Sequence, residues 1–395
     1  MAVARTLGPL SNLHQMLVQV VESLADAELR RCPHPALYPP GWYLGRAVYL
    51  ETYWLRERLA GDDDLSRRVR HIFAKGACTP AAAGALLPPR DHLLNWALEI
   101  QDEHLTRLAN PGLLPRGGID PDWLASWLLQ AQSLIYEELL LAVSALRLDA
   151  LAGGFAVAHP LSPALPRDDS VAVSQGHYRI GAREGVAFDN ELPVQAVELH
   201  SFRIATRPVG NAEYLAFMQD GGYAQDAFWS ADGRAWRDDN GTVRPFAWRA
   251  DAAGHWFAVG LNGPYELLPD EPVSGVSQFE AQAYAAWAAA QGGATTGAVL
   301  PHEYQWETAV RTQAVTEHGR VLEWCANRLE PYDQYRRPDD PELATAELDG
   351  RHYSLRGATL HTQPCVRRPS LRRGGLPGDN QRLAGFRLVF PPAPG

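Results

Sequence analysis

Residues 271–311 read EPVSGVSQFEAQAYAAWAAAQGGATTGAVLPHEYQWETAVR. Pro272–Val276 is a short strand-like run. From Gln278 to Gln291 the pattern changes. Phe279, Ala283, Tyr284 and Trp287 recur at i, i+4, i+5 and i+8, the spacing of one helical face. Gly292-Gly293 ends that helix. Leu300-Pro301 then opens a second one, in which Glu303, Trp306 and Glu307 lie a turn apart.

The chain around this stretch, from Ser170 onward, has short strand-like runs, many turns and many aromatics. Val171–Gly181 reads VAVSQGHYRIG, Phe188–Leu199 reads FDNELPVQAVEL, and Arg207–Phe217 reads RPVGNAEYLAF. Further on come Val321-Leu-Glu-Trp324, Tyr353-Ser-Leu-Arg-Gly-Ala358 and Ala384-Gly-Phe-Arg-Leu388. In order, spacing and aromatic positions these blocks resemble the formylglycine-generating-enzyme (sulfatase-modifying-factor) domain over 170–390. Two departures stand out: Gln278 where an aromatic is usual, and Pro301-His302 where Pro-Thr is usual. The resemblance implies a C-type-lectin-like α+β fold with little regular secondary structure.

Residues 1–152 read as helical. Leu13, Leu17, Val20 and Val21 give one amphipathic face, and Val48–Arg58, Leu93–Leu108 and Trp123–Leu148 give three more. Four such helices predict an up-and-down bundle. Gly153–Pro166, GGFAVAHPLSPALP, breaks the periodicity, so the expected division is a bundle at 1–152, a linker at 153–169 and a second domain at 170–395. Pro40-Gly-Trp-Tyr-Leu-Gly-Arg46, Tyr49–Arg56 and Leu87–Trp96 look like motifs of a DinB-type bundle. A DinB-like four-helix bundle fused to a formylglycine-generating-enzyme fold resembles the ergothioneine-, ovothiol- and selenoneine-type sulfoxide or selenoxide synthases.

Composition narrows the partners. The 395 residues carry a net charge of −10 with scattered basic side chains, which argues against nucleic acid or an anionic membrane surface. Cys32, Cys78, Cys325 and Cys365 form no CxxC pair, so neither a zinc knuckle nor a disulfide framework is indicated. No apolar run approaches about 18 residues, and the N-terminus lacks a secretory pattern. A soluble cytoplasmic protein is expected.

The synthase resemblance implies one non-haem iron(II) held by three histidines, one from a W-x-L-G-H segment and two from an H-x3-H helix. An i, i+4 pair puts two imidazoles on one helix face, and a third from another helix completes a facial triad with open positions. Here the matching residues are Arg46, Gln132 and Tyr136. A guanidinium does not ligate metal and carries fixed positive charge, Gln is a weak neutral donor, and Tyr prefers ferric iron. His71, His92 and His104 form no H-x3-H pair and read as ordinary surface or core histidines. No cofactor is expected, with iron(II) required only if the donors lie elsewhere. Arg46 is expected to pair with Glu51, Glu137 or Glu138.

Two further expectations follow from the resemblance. Formylglycine-generating enzymes bind copper(I) through cysteines, and His361-x3-Cys365 is the weak counterpart here. The synthase substrate cleft lies between the domains, and its counterparts here are Arg90, Trp324, Tyr332, Tyr335 and Arg356. Arginines suit carboxylates and aromatics suit a quaternary ammonium, so the partner is a small amino-acid-like or thiol ligand. Cys325 reads as packing. No phosphate loop or nucleophile elbow is present. Three readings stay open: a metal-free or non-catalytic binder, an iron oxygenase forming a C–S or C–Se bond on a histidine derivative, and a copper-dependent or other redox enzyme.

Overall fold

The computed structural model describes residues 2–110, 119–150, 154–167, 169–185, 187–344 and 348–392. Two compact units share the chain. The first is Met1–Arg147 with the short segments Asp339–Glu342 and His361–Val366. The second is Leu148–Pro338, Leu343–Leu360 and Arg367–Gly395. A helical region followed by a mixed helix-and-strand region is the expected order. The expected boundary at 152–153 lies outside the described residues.

In the first unit the helices are α1 (Ala2–Glu22), α2 (Asp26–Arg30), α3 (Pro40–Thr52), α4 (Asp64–Phe73), α5 (Pro80–Leu86), α6 (Arg90–Ala109) and α7 (Pro121–Ala150). Leu10, Leu13, Leu17 and Val21 form the buried stripe of α1. Helix α3 starts eight residues before the expected Val48, because Pro40 occupies the first turn, where a missing N–H costs nothing. Every residue of α3 is buried, so it has no polar face from which its start could be read. It passes into a π-helical turn, Tyr53–Arg58. Its backbone approaches its neighbours closely: a Cβ on Gly45 would stand 2.2 Å from Phe73 Cζ.

The second unit is built from short strands: β1 (Ser170–Val173), β2 (Gly176–Ile180), β3 (Gln195–Leu199), β4 (Phe202–Ala205), β5 (Trp248–Ala250), β6 (Trp256–Gly260), β7 (Gly263–Glu266), β8 (Leu322–Arg328), β9 (Tyr353–Gly357), β10 (Arg373–Gly375), β11 (Ala384–Gly385) and β12 (Val389–Phe390). They form sheets ordered β1-β4-β12, β10-β9-β8-β11, β2-β3 and β5-β6-β7. Helices α8 (Asn211–Gln219), α9 (Ala231–Asn240), α10 (Gln278–Gln291) and α11 (Glu303–Arg311) fill in between. Helix α10 has the expected bounds. Its Ser277 Oγ accepts from Glu280 N–H while Glu280 accepts from Ser277 N–H at 2.7 Å, a reciprocal cap. Its aromatic face enters the core: Tyr284 stacks on Tyr214 at 5.7 Å and meets Phe386 at 5.2 Å.

One sequence expectation changes here, and one departure gains a role. Pro272–Val276 is not a ladder strand. Pro272 has no N–H and makes a single bridge to Gly210, and Val273 N–H then donates to Val209 O at 2.9 Å. His302, the departure at the start of α11, supplies the N-cap: its Nδ1 accepts from Tyr304 N–H at 3.1 Å, and Gln305 closes the box at 2.9 Å. Among the described residues no helix is long and apolar enough to cross a membrane.

Candidate functional site

Arg46 lies in the middle of α3 and is 9% exposed. One guanidinium nitrogen bonds Glu342, and the other donates to Phe73 O at 3.0 Å. The cation also stands 5.7 Å from the Tyr49 ring centroid. Glu342 Oε1 accepts in turn from Lys75 N–H at 3.3 Å. The expected partners, Glu51, Glu137 and Glu138, are therefore replaced by a carboxylate 296 positions away. The pairing is as anticipated, but the partner is not, because Glu51 and Glu137 are engaged elsewhere.

Glu51 is fully buried. It accepts from His14 Nε2 of α1 at 2.5 Å, from His104 Nδ1 of α6 at 3.0 Å, and from the side-chain amide of Gln132 on α7. Burial alone would push this carboxyl up, but the two imidazoles outweigh it and hold it at about 2. Four helices each contribute one side chain to this cluster. His104 is thus a core histidine, as expected, whereas His14 was not singled out at all. Its only sequence signal is a lone imidazole beside the Leu10/Leu13/Leu17 stripe. His71 and His92 are exposed.

Tyr136 is half-buried, and burial raises its phenol. One position further, Glu137 accepts from Thr362 Oγ1 at 2.9 Å, and Ser133 Oγ lies 3.2 Å from Cys365 Sγ. The segment His361–Val366 is therefore seated on α7. His361 is partly buried, which lowers its imidazole, and Cys365 is half-buried.

Arg356 and Tyr332 come together in the second unit, but around a structural network, whereas Trp324 packs in the hydrophobic core. Arg356 is fully buried. It donates to Glu303 at 3.3 Å, to Glu307, and to Pro369 O at 2.6 Å. Arg372 bonds both oxygens of Glu303, and its guanidinium lies 3.9 Å over the Tyr332 ring. Trp324 is fully buried, with Nε1–H donating to Val276 O at 2.8 Å. These three side chains are engaged inside the fold. Tyr335 is partly exposed, and its hydroxyl donates to Asp189 at 2.7 Å. Arg90 opens α6 in the other unit and ties it to α1 through Glu22 O. Cys325 is buried with Trp306 and Val310, as packing. Arg372 was not singled out in the sequence, where nothing local marks its pairing with Glu303.

Residues 157–318 match the sulfatase-modifying factor enzyme 1-like domain family. The chain is similar to the hercynine oxygenase of Mycolicibacterium thermoresistibile, 34% identical over 423 residues that cover 92% of this chain and 90% of that protein. It is similar to the hercynine oxygenase of Mycolicibacterium smegmatis at 28%, over 92% and 94% of the two chains. The formylglycine-generating enzyme of Thermomonospora curvata is 35% identical over 156 residues, 36% of this chain and 48% of that one. The chain belongs to the hercynine oxygenase family.

Against the iron(II) that the family resemblance implies, the three matched positions do not fit. Arg46 offers no lone pair and is ion-paired. Gln132 turns its amide nitrogen to Glu51, and burial keeps the Tyr136 phenol protonated. The imidazoles of His14 and His104 approach different oxygens of Glu51 rather than a common point. Among the described residues no group of three or more His, Cys, Asp or Glu side chains is placed to hold a metal ion.

Proposed function

We propose that this member of the hercynine oxygenase family is a metal-free, non-catalytic binder of a small amino-acid-like ligand, built on a DinB-like four-helix bundle and acting in the cytoplasm. The observation that carries this reading is the Arg46–Glu342 ion pair. It sets a fixed cation at a position where the family's metal chemistry needs a neutral imidazole. The ligand class follows from relatives named for hercynine. Of the expected contact residues, Arg90 in the helical unit and Tyr335 in the second unit keep exposed surface.

The test is calorimetric titration of the chelator-treated protein with hercynine. Oxygen-consumption assays follow in the presence of iron(II) and a thiol. Saturable binding without oxygen uptake is expected. Iron-dependent oxygen uptake coupled to hercynine loss overturns the proposal. A second reading, an iron oxygenase with relocated donors, draws on the 34% identity across nearly the whole chain.

A further inference from the structure

Asp339–Glu342 belongs to the helical unit, although the residues before and after it belong to the second. The segment forms a turn in which Asp339 and Pro341 are exposed. What it buries is two carboxylates: Glu342 is 8% exposed, and so is the side chain of Asp340. Within the turn Glu342 N–H donates to Asp340 Oδ1 at 3.0 Å, which ties the two acidic residues together.

The groups that meet these carboxylates are donors. Arg46 and the Lys75 N–H bond Glu342, the latter at 3.3 Å. The Tyr53 hydroxyl donates to Asp340 at 2.6 Å, and Arg58 Nε stands 3.3 Å from the same carboxylate. Glu57, next to Arg58 in the chain, is held by Arg70 and Ser66 and does not compete. Two guanidiniums, a phenol O–H and a backbone N–H thus form a socket for two carboxylates, and the chain fills it with its own Asp-Pro-Glu. Such an occupant can be exchanged. Deleting Glu342 leaves a buried cation unpaired, whereas another carboxylate in its place leaves none. The tethered segment holds the socket at an effective concentration on the order of millimolar, so it resists an external acid by mass action.

We propose that the socket around Arg46 and Arg58 binds an acidic peptide of the Asp-x-Glu kind, and that Asp339–Glu342 is its built-in competitor. Charge selects the ligand: a neutral peptide leaves both guanidiniums unpaired, and a cationic one is repelled. The spacing of the two acids is that of Asp340 and Glu342. The socket needs only the geometry of the Arg46–Glu342 pair and not a hercynine site, so the peptide and hercynine titrations fail separately.

The test titrates the full chain with acetyl-Asp-Pro-Glu-amide and with its neutral isostere, acetyl-Asn-Pro-Gln-amide. Glu342→Gln removes the competing carboxylate and is expected to bind the acidic peptide at least about tenfold more tightly than the parent does. The same variant is expected to bind the neutral peptide at least about tenfold more weakly than the acidic one. If Glu342→Gln does not fold, Asp340→Asn, which keeps the buried pair, carries the comparison with binding about two- to fivefold tighter than the parent. In the parent, millimolar acidic peptide is expected to speed hydrogen exchange at the Glu342 amide by at least about threefold as the segment leaves. No saturable binding by a folded variant, equal binding of the neutral peptide, equal binding by the parent, or unchanged exchange at Glu342 overturns the assignment and leaves the segment a fixed clasp.

Discussion

Arg46 of α3 and Glu342, 296 positions later, are joined by a salt bridge in which both side chains are almost wholly buried. The pair draws the segment Asp339–Glu342 into the helical unit. Tyr53 reinforces this by donating its hydroxyl to Asp340 at 2.6 Å. Removing one partner leaves an uncompensated buried charge, which costs about 3–5 kcal/mol. Arg46→Ala or Glu342→Ala should therefore destabilise the helical unit strongly. The double change Arg46→Met/Glu342→Leu should recover most of the loss. Urea unfolding followed by far-UV circular dichroism checks both. Single variants as stable as the parent would remove the pair from the account.

Glu51 predicts an acid dependence. Its carboxyl is held at about 2, against an ordinary 4.5. A lowered folded value gives stability that is complete above the unfolded value and is lost as pH falls from about 4.5 towards 2. The difference is worth about 3 kcal/mol. Glu51→Gln should lose that slope as well as stability at neutral pH. Unfolding midpoints measured between pH 5 and pH 2.5 decide it, and parallel curves for the two proteins would contradict the prediction.

Arg356 predicts that charge alone is insufficient. Its fork reaches Glu303, Glu307 and the Pro369 carbonyl at once, with no exposed surface. A lysine keeps the charge but cannot span three acceptors. Arg356→Lys should destabilise the second unit by about 2–4 kcal/mol, as a broken buried network does. The protein that remains folded should bind hercynine unchanged. A large affinity loss without a stability loss would instead return Arg356 to ligand contact.

Gly45 predicts a steric penalty. A methyl group there would stand 2.2 Å from Phe73 Cζ. Gly45→Ala should cost about 1–3 kcal/mol by overpacking. Phe73→Leu in the same chain should return part of it, a coupling that thermal unfolding of the double-mutant cycle measures.

These cases also show what is legible in the sequence. Helix α10 was readable to the residue because its aromatic face has clean helical spacing and Gly292 closes it. The start of α3 was not, since a helix buried on all sides carries no amphipathic signal and only Pro40 marks its beginning. That Arg46 must find a carboxylate followed from burial physics. That the carboxylate is Glu342 did not, because a contact spanning 296 positions leaves no local pattern. The Glu51 cluster was hidden for a similar reason. His14, His104 and Gln132 come from three different helices, and no local pattern ties any of them to Glu51. Trp324 and Arg356 were located by fold-defining blocks, and those blocks are what the structure uses them for.

Iron content decides whether the chain holds the metal that its family resemblance implies. The protein and an Arg46→His/Gln132→His/Tyr136→His variant are loaded anaerobically with iron(II), desalted and analysed by elemental mass spectrometry. No retained iron is expected in the unmodified chain, and iron is expected to be retained by the triple variant. Near-stoichiometric iron in the unmodified chain contradicts this and makes the protein an iron oxygenase with donors at other positions.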